Sequence, residues 1–252
     1  MNVRYILIGF AICLISIVPT DNLCAQQYLG TSGLIHVPTA DMDSFPVVRA
    51  GIHYLPQEMI PKMISFENER YNSATYYIGI TPFRWIEIGY SRMLLKLRKA
   101  PTTMENPPAG LFYGTDRQFS VRLQPLHEDC WWPSVVVGGN DIWGSRSGNS
   151  DSFYFRNYYL AVSKHIDLTS WLLGAHVSYR RFKDDANSQW NGLVGGITVQ
   201  PSFYRSLRVI GEYDGNRINI GLDCQLFKHL QLQASLLGCQ WFNGGACVYM
   251  NL

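Results

Sequence analysis

The chain has 252 residues and a formal net charge of +2, with 16% charged and 13% aromatic residues. Soluble domains typically carry about 25% charged residues, so the sequence is too poor in charge for an ordinary hydrated surface. The near-neutral balance argues against a nucleic-acid partner, and a mean hydropathy of −0.05 shows that apolar residues are plentiful but diluted.

At the start, Met1-Asn2-Val3-Arg4 forms a short basic head. Residues 5–18 are almost entirely apolar, and Pro19 and a polar stretch ending in Leu23-Cys24-Ala25-Gln26 follow. This layout predicts a secretory signal peptide cleaved after Ala25. Asp21-Asn22-Leu23 is a poor context for acylating Cys24. The apolar run is shorter than the roughly 20 residues that a membrane-spanning helix requires, and no later run reaches that length. The expected organisation is a signal peptide at residues 1–25 and one domain at residues 26–252.

Strand-like runs with turn chemistry between them then recur. They lie at residues 48–55, 74–81, 85–93, 118–124, 134–141, 155–165, 172–180, 193–200, 207–213, 218–225, 230–238 and 246–252, with a further candidate at 62–67. Alternation is clearest late in the chain. Val209, Ile218, Ile220 and Leu222 share one parity, while Arg208, Glu212 and Asp223 take the other. Successive strand side chains point to opposite faces, so each strand has one oily side and one polar side.

A soluble sandwich alternates in the same way, and three features favour a membrane barrel over it. The polar parity is rich in Gln, Asn, Ser and Gly rather than Lys and Glu. Tyr and Trp cluster near strand ends, as at Tyr76-Tyr77, Trp131-Trp132, Tyr158-Tyr159, Trp171 and Trp241, where an interfacial girdle would lie. The last run places Ala246, Val248, Met250 and Leu252 on one face. In lipid every strand N–H and C=O must be paired, and only a closed sheet achieves that. The expected fold is therefore all-β: a single antiparallel transmembrane β-barrel of about 12 strands (12–14) after a cleaved signal peptide. Long connections are expected at residues 98–116, 144–153 and 182–190, with the tight Asp214-Gly215 turn in the short class.

Cys130, Cys224, Cys239 and Cys247 follow the signal region without a C-x-x-C pair, so a zinc–cysteine site has no support. Cys239 and Cys247 share a parity across the last hairpin, which leaves a disulfide or two inert small residues as readings.

Several segments resemble the YjbH-like family of outer-membrane exopolysaccharide proteins. GTSGLIHVPTADM (30–42) resembles its opening pattern, and PSVVVGGNDIWGS (133–145) its apolar strand leading to Gly-x-x-Asp. NYYLAVSKHIDLTSWLLGAHVSY (157–179) and GEYDGNRINIGL (211–222) are similar to later segments, in family order. The chain is short beside the larger members and holds one barrel. The resemblance implies an outer-membrane barrel of a Gram-negative bacterium that serves polysaccharide biosynthesis or export; its partners would be the lipid bilayer, polysaccharide and other export proteins. It brings no catalytic residues and no cofactor.

The candidate ligand-binding residues are lumen-facing: Asp141, Trp143, Arg208, Glu212 and Asp223. Asp141 follows Gly138-Gly139 and has two readings, a contact to sugar hydroxyls and an Asx-turn residue shaping the loop. Glu212 reads better as a wall partner of Arg208 or Arg217 than as a catalyst. Lys164 is expected to meet Asp167 or a phosphate headgroup. Tyr77, Tyr249 and Trp143 are lumen aromatics suited to stacking on sugar rings or to filling the interior. No Gly-x-Ser-x-Gly elbow occurs, the histidines are scattered, and Asp184-Asp185 reads as a solvated pair. The expected role is a non-enzymatic pore or scaffold, with a general small-solute porin as the alternative and a lipid- or glycan-modifying enzyme as a weaker one.

Overall fold

The computed structural model describes residues 27–43, 46–61, 69–97, 112–142, 154–183, 185–227 and 229–251. Twelve strands run in chain order: β1 (Val47–Leu55), β2 (Ser73–Phe83), β3 (Ile86–Leu97), β4 (Phe112–Leu126), β5 (Ser134–Asn140), β6 (Asn157–Asp167), β7 (Trp171–Phe182), β8 (Gly192–Pro201), β9 (Leu207–Tyr213), β10 (Ile218–Leu226), β11 (Leu230–Leu237) and β12 (Trp241–Asn251). Each pairs antiparallel with its sequence neighbours, and the sheet closes where β12 meets β1, from Val47 opposite Asn251 to Tyr54 opposite Gly244. No helix among the described residues is long and apolar enough to cross a membrane.

All twelve principal strand expectations correspond to strands. The largest boundary differences lie at β4 and β12, which begin earlier than the alternation suggested. β4 pairs along β3 up to Phe112 opposite Leu97. β12 pairs along β11 up to Trp241 opposite Leu237 despite Gly244 and Gly245. Cross-strand hydrogen bonding carried these segments past the point where local propensity fades. The signal-peptide residues, the candidate strand at 62–67 and Trp143 lie outside the described residues.

Side-chain parity sorts the wall as the alternation required. In β9 and β10 Val209, Ile218, Ile220 and Leu222 point outward and are 44–65% exposed, whereas Arg208, Glu212 and Asp223 point inward and are nearly fully buried. The same division holds in β4, where Phe119 and Leu123 face out while Gln118, Ser120 and Arg122 face in.

The two ends of the barrel differ. Connections at residues 84–85, 127–133, 168–170, 202–206 and 227–229 share an end with the start of β1 and the finish of β12. The opposite end carries the described residues 56–61 and 69–72, 141–142 and 154–156, and 183 and 185–191, the last containing a 3-10 segment, Asp185–Trp190. Asp214-Gly215 joins β9 to β10 at this long-loop end, not with the short turns. Tightness was a poor guide because a hairpin of any loop length fits the up-and-down order. The four described cysteines are free: Cys239 is exposed in the β11–β12 turn with φ 58°, while Cys247 is buried. The shared parity broke down because the turn reverses the backbone at Cys239.

Inside the barrel lies what the strand pattern did not announce. Residues 27–43 occupy the lumen, and 27–40 are buried throughout. The segment folds back on itself through a bridge between Gly33 and Pro38, with Leu34 N–H donating to Val37 C=O at 2.8 Å. Tyr28, Leu29, Leu34, Ile35 and Val37 join Leu55, Met93, Phe155, Phe182, Trp190 and Ile210 of the wall and loops in one apolar cluster. Gly30 permits this seat. Its φ is +81°, and a Cβ there would collide with the Tyr77 ring.

Leu222 stands at the middle of β10 on the outward face. Leu222→Arg is expected to cost about 2–4 kcal/mol of stability in phospholipid bilayers, read from denaturant unfolding in vesicles.

Candidate functional site

Two buried carboxylates of the wall hold the internal segment. Glu212, near the long-loop end of β9, accepts hydrogen bonds from three consecutive backbone N–H groups: Ile35 at 3.0 Å, His36 at 2.9 Å and Val37 at 3.1 Å. Asn219, directly opposite on β10, adds its side-chain amide at 2.8 Å. Successive N–H groups turned toward one point form an anion-binding concavity. Here the anion is a side chain of the barrel itself. The turn at residues 33–38 is what aims these three donors at one place.

The second anchor lies near the short-turn end. Glu87, one residue into β3, accepts from Ser32 N–H at 3.0 Å and Ser32 Oγ at 2.8 Å. Arg122, its register partner on β4, donates to it at 2.6 Å, and Arg49 of β1 completes the group. All three charged side chains are essentially solvent-free. A buried carboxylate is stable only when paired and hydrogen-bonded, and two guanidiniums plus Ser32 meet that need. Arg122 also donates to the Thr39 and Asp41 carbonyls, and Gln124 donates to Ala40 C=O at 2.8 Å. Ser178 reaches Pro38 C=O, and Arg180 reaches His36 C=O. The segment's backbone polar groups are thus satisfied by inward side chains of the wall.

His36 sits near the long-loop end of this interior, stacked on Tyr28 and edge-on to Trp190. Arg180 Nη2 lies 3.3 Å from its Nδ1 and Tyr28 Oη 3.2 Å from its Nε2. A guanidinium can only donate, so Nδ1 carries the lone pair and Nε2 the proton. Burial, with Arg180 adding to it, holds the imidazole far below its ordinary pKa. Burial also pushes the Tyr28 phenol well above its usual value.

The predicted site residues separate into different tasks. Arg208 pairs with Asp223 at 2.7 Å, not with Glu212, because the β9–β10 register sets those two residues opposite each other. Asp141 adopts φ 55° and accepts from Phe119 N–H at 2.8 Å, tying the end of β5 to β4. Asp141, at the end of β5, is separate from Glu212 and the Arg208–Asp223 pair on β9 and β10. Tyr77 is buried inward against His53 and Gly30. Lys164 meets Glu128 at 3.3 Å instead of Asp167, which faces Arg205 at 3.7 Å. Glu87, Arg49 and Arg122 were missed as a group. A signal was present in Ile86-Glu87-Ile88 and Val121-Arg122-Leu123, where a charge takes the inward parity between outward apolar neighbours.

A third cluster gathers Asp41 with His165 and His176, whose ligand atoms all lie within 4.8 Å of one another. Ser163 Oγ stands 2.8 Å from His176 Nδ1, the same nitrogen that Asp41 Oδ2 approaches at 3.8 Å. A nucleophile and an acid on one ring nitrogen cannot relay a proton across the imidazole, so these three residues are not arranged as a catalytic triad.

A closed, outwardly apolar twelve-stranded barrel with an internal segment held on buried carboxylates is a plugged β-barrel. Residues 25–252 match the YjbH family, described as exopolysaccharide biosynthesis protein YbjH, and the chain belongs to that family. Among solved structures it is similar to outer membrane phospholipase A from Escherichia coli, with 10% identity and a TM-score of 0.36, covering 82% of this chain and 96% of that one. It is also similar to the calcium-bound dimer of the Salmonella typhi outer membrane phospholipase, with 10% identity and a TM-score of 0.36, covering 84% and 94%. No curated protein matches the chain.

Glu212→Ala would leave three buried N–H donors without an acceptor, at about 1–3 kcal/mol each. Amide-exchange protection at Ile35, His36 and Val37 is expected to fall by about 100-fold or more. Acid should loosen the interior as well. Because the folded pKa of His36 is depressed, its contribution is complete above the unfolded value near 6.5 and declines as pH falls below it, by up to about 1.4 kcal/mol per pH unit. Denaturant midpoints of the folded protein between pH 8 and 5 should show this decline, and His36→Gln should remove about one proton from the slope.

Proposed function

We infer that the protein is an outer-membrane β-barrel that serves exopolysaccharide biosynthesis or export without catalysing a reaction. In its plugged state it is a scaffold, and it conducts only when residues 27–43 leave the lumen. The observation that carries this reading is the double anchoring of that segment on Glu87 and Glu212. Membership of the exopolysaccharide biosynthesis family supplies the context.

The bilayer placement is supported by physics. The sheet has no free edge, and its outward face is lined by large apolar side chains; only such a sheet can be lodged in hydrocarbon with its backbone satisfied. The basic-then-apolar start of the sequence supports export to the outer membrane of a Gram-negative bacterium. A filled interior speaks against a standing small-solute porin, since solute passage needs a continuous wet path. The surfaces available to polysaccharide are the long-loop end and, after plug release, the Gln-, Asn- and Arg-lined wall. Asp141, Arg208, Glu212 and Asp223 contribute to that wall or its rim.

Deletion of the gene is expected to abolish secreted or surface glycan while small-solute uptake stays normal. In planar bilayers the intact protein should be silent, and the Glu87→Gln/Glu212→Gln variant should conduct. An unchanged glycan output, or steady conductance by the intact protein, would overturn the reading.

A further inference from the structure

We propose that Asp41, His165 and His176 form a binding site for one divalent transition-metal ion of the zinc class, which clamps the internal segment to the barrel wall. The three come from separate parts of the fold. Asp41 belongs to the internal segment, His165 to the end of β6 and His176 to β7. Asp41 Oδ1 lies 3.8 Å from His165 Nε2, and Asp41 Oδ2 lies 3.8 Å from His176 Nδ1. These separations are too long for hydrogen bonds. Two metal–ligand bonds of about 2.0–2.2 Å at a tetrahedral angle set donor atoms about 3.3–3.6 Å apart, so each Asp41–imidazole separation needs to contract by a few tenths of an ångström, and the widest separation in the cluster, within 4.8 Å, by no more than about 1.5 Å.

The orientation of the two rings is an independent observation pointing to a ligand. His165 Nδ1 is 2.7 Å from Glu128 Oε2, and a carboxylate only accepts, so Nδ1 carries the proton and, in the neutral ring, Nε2 presents its lone pair toward Asp41. This is the carboxylate–histidine support that fixes ligating imidazoles in metal sites. Glu128 is itself pinned: its Oε1 accepts from His165 N–H at 2.7 Å and from Lys164 Nζ at 3.3 Å. On the other ring, Nε2 lies 3.2 Å from Thr198 Oγ1, while Nδ1 is 2.8 Å from Ser163 Oγ. Ser163 Oγ accepts from Ala40 N–H at 2.8 Å and retains its hydroxyl proton to donate to Nδ1 in the tautomer that protonates Nε2 toward Thr198. Metal binding at Nδ1 requires the Ser163 side chain to rotate about χ1, which gives up its hydrogen bond from Ala40 N–H. In these neutral tautomers both rings turn a lone pair toward the Asp41 carboxylate.

The donor set selects the ion. Two imidazoles and one carboxylate suit zinc and its late first-row neighbours, whereas magnesium and calcium prefer oxygen-only sites. Three protein ligands leave a fourth position for water, and the partial exposure of Asp41 and His165 gives a route for the ion. His176 is fully buried and closes the inner side. The inference does not depend on the polysaccharide role. A metal here would tie residues 38–43 to the wall near the short-turn end, beside the Glu87 anchor and remote from the Glu212 one.

Tag-free, detergent-folded protein stripped with a chelator should bind one equivalent of Zn2+ in calorimetry, and the same site should give visible ligand-field bands with Co2+. The unfolding midpoint should rise with Zn2+ concentration, as expected of a ligand that binds only the folded state, and should not respond to Mg2+. His165→Ala and Asp41→Asn should abolish both the Co2+ bands and the Zn2+-dependent rise. Glu128→Gln, which keeps the shape of the support, should weaken Zn2+ by about 10–100-fold. Absence of Zn2+ binding by the folded intact protein at about 100 μM would overturn the proposal. So would equal affinity in the His165→Ala and Asp41→Asn variants, which would place the ion elsewhere.

Discussion

The hydrogen-bonded seam between β1 and β12 constrains everything inside it. Once the seam closes, each strand residue is committed to one of two environments, an outer face or an enclosed lumen. Arg49, Glu87, Arg122, Arg180, Arg208, Glu212 and Asp223 are all carried inward by that choice. Enclosed charges must be paired or hydrogen-bonded. Some are answered within the wall, as Arg208 is by Asp223. Glu212 is answered largely by backbone amides of the internal segment, and Glu87 by Ser32 of that segment together with Arg49 and Arg122 of the wall.

Wall and segment are therefore mutually dependent. Ile35, His36 and Val37 would leave three buried N–H groups orphaned without Glu212, and Glu212 would be a nearly solvent-free carboxylate without them. Glu87 differs in kind, since Arg49 and Arg122 would still neutralise it if Ser32 withdrew. The two anchors stand near opposite ends of the barrel, which fixes the segment's orientation as well as its presence. The Asp41, His165 and His176 cluster adds a third tie beside the short-turn end, made of side chains that are otherwise unremarkable in sequence.

The hairpin of β9 and β10 shows what local pattern can and cannot reveal. Its parity was legible: alternating Val209, Ile218, Ile220 and Leu222 declared the outer face, and Arg208, Glu212 and Asp223 the inner one. The pairing of those charges was not. Residues two apart on a strand share a face, so Arg208 had several acidic neighbours to choose from until the register set Asp223 directly across. Likewise the Asp214-Gly215 turn was recognisable as a turn, but its end of the barrel depended on counting every strand before it.

The amino-acid sequence by itself determined the strands, a count of about twelve, the face that most strand residues take and the family resemblance, because period-two alternation and ordered segments are local properties of the chain. Only the tertiary structure decided that residues 27–43 fill the lumen. That segment carries no repeat to read. Its seat rests on hydrogen bonds to Glu87 and Glu212, 55 and 177 residues away along the chain, and such contacts exist only after the sheet has closed around them.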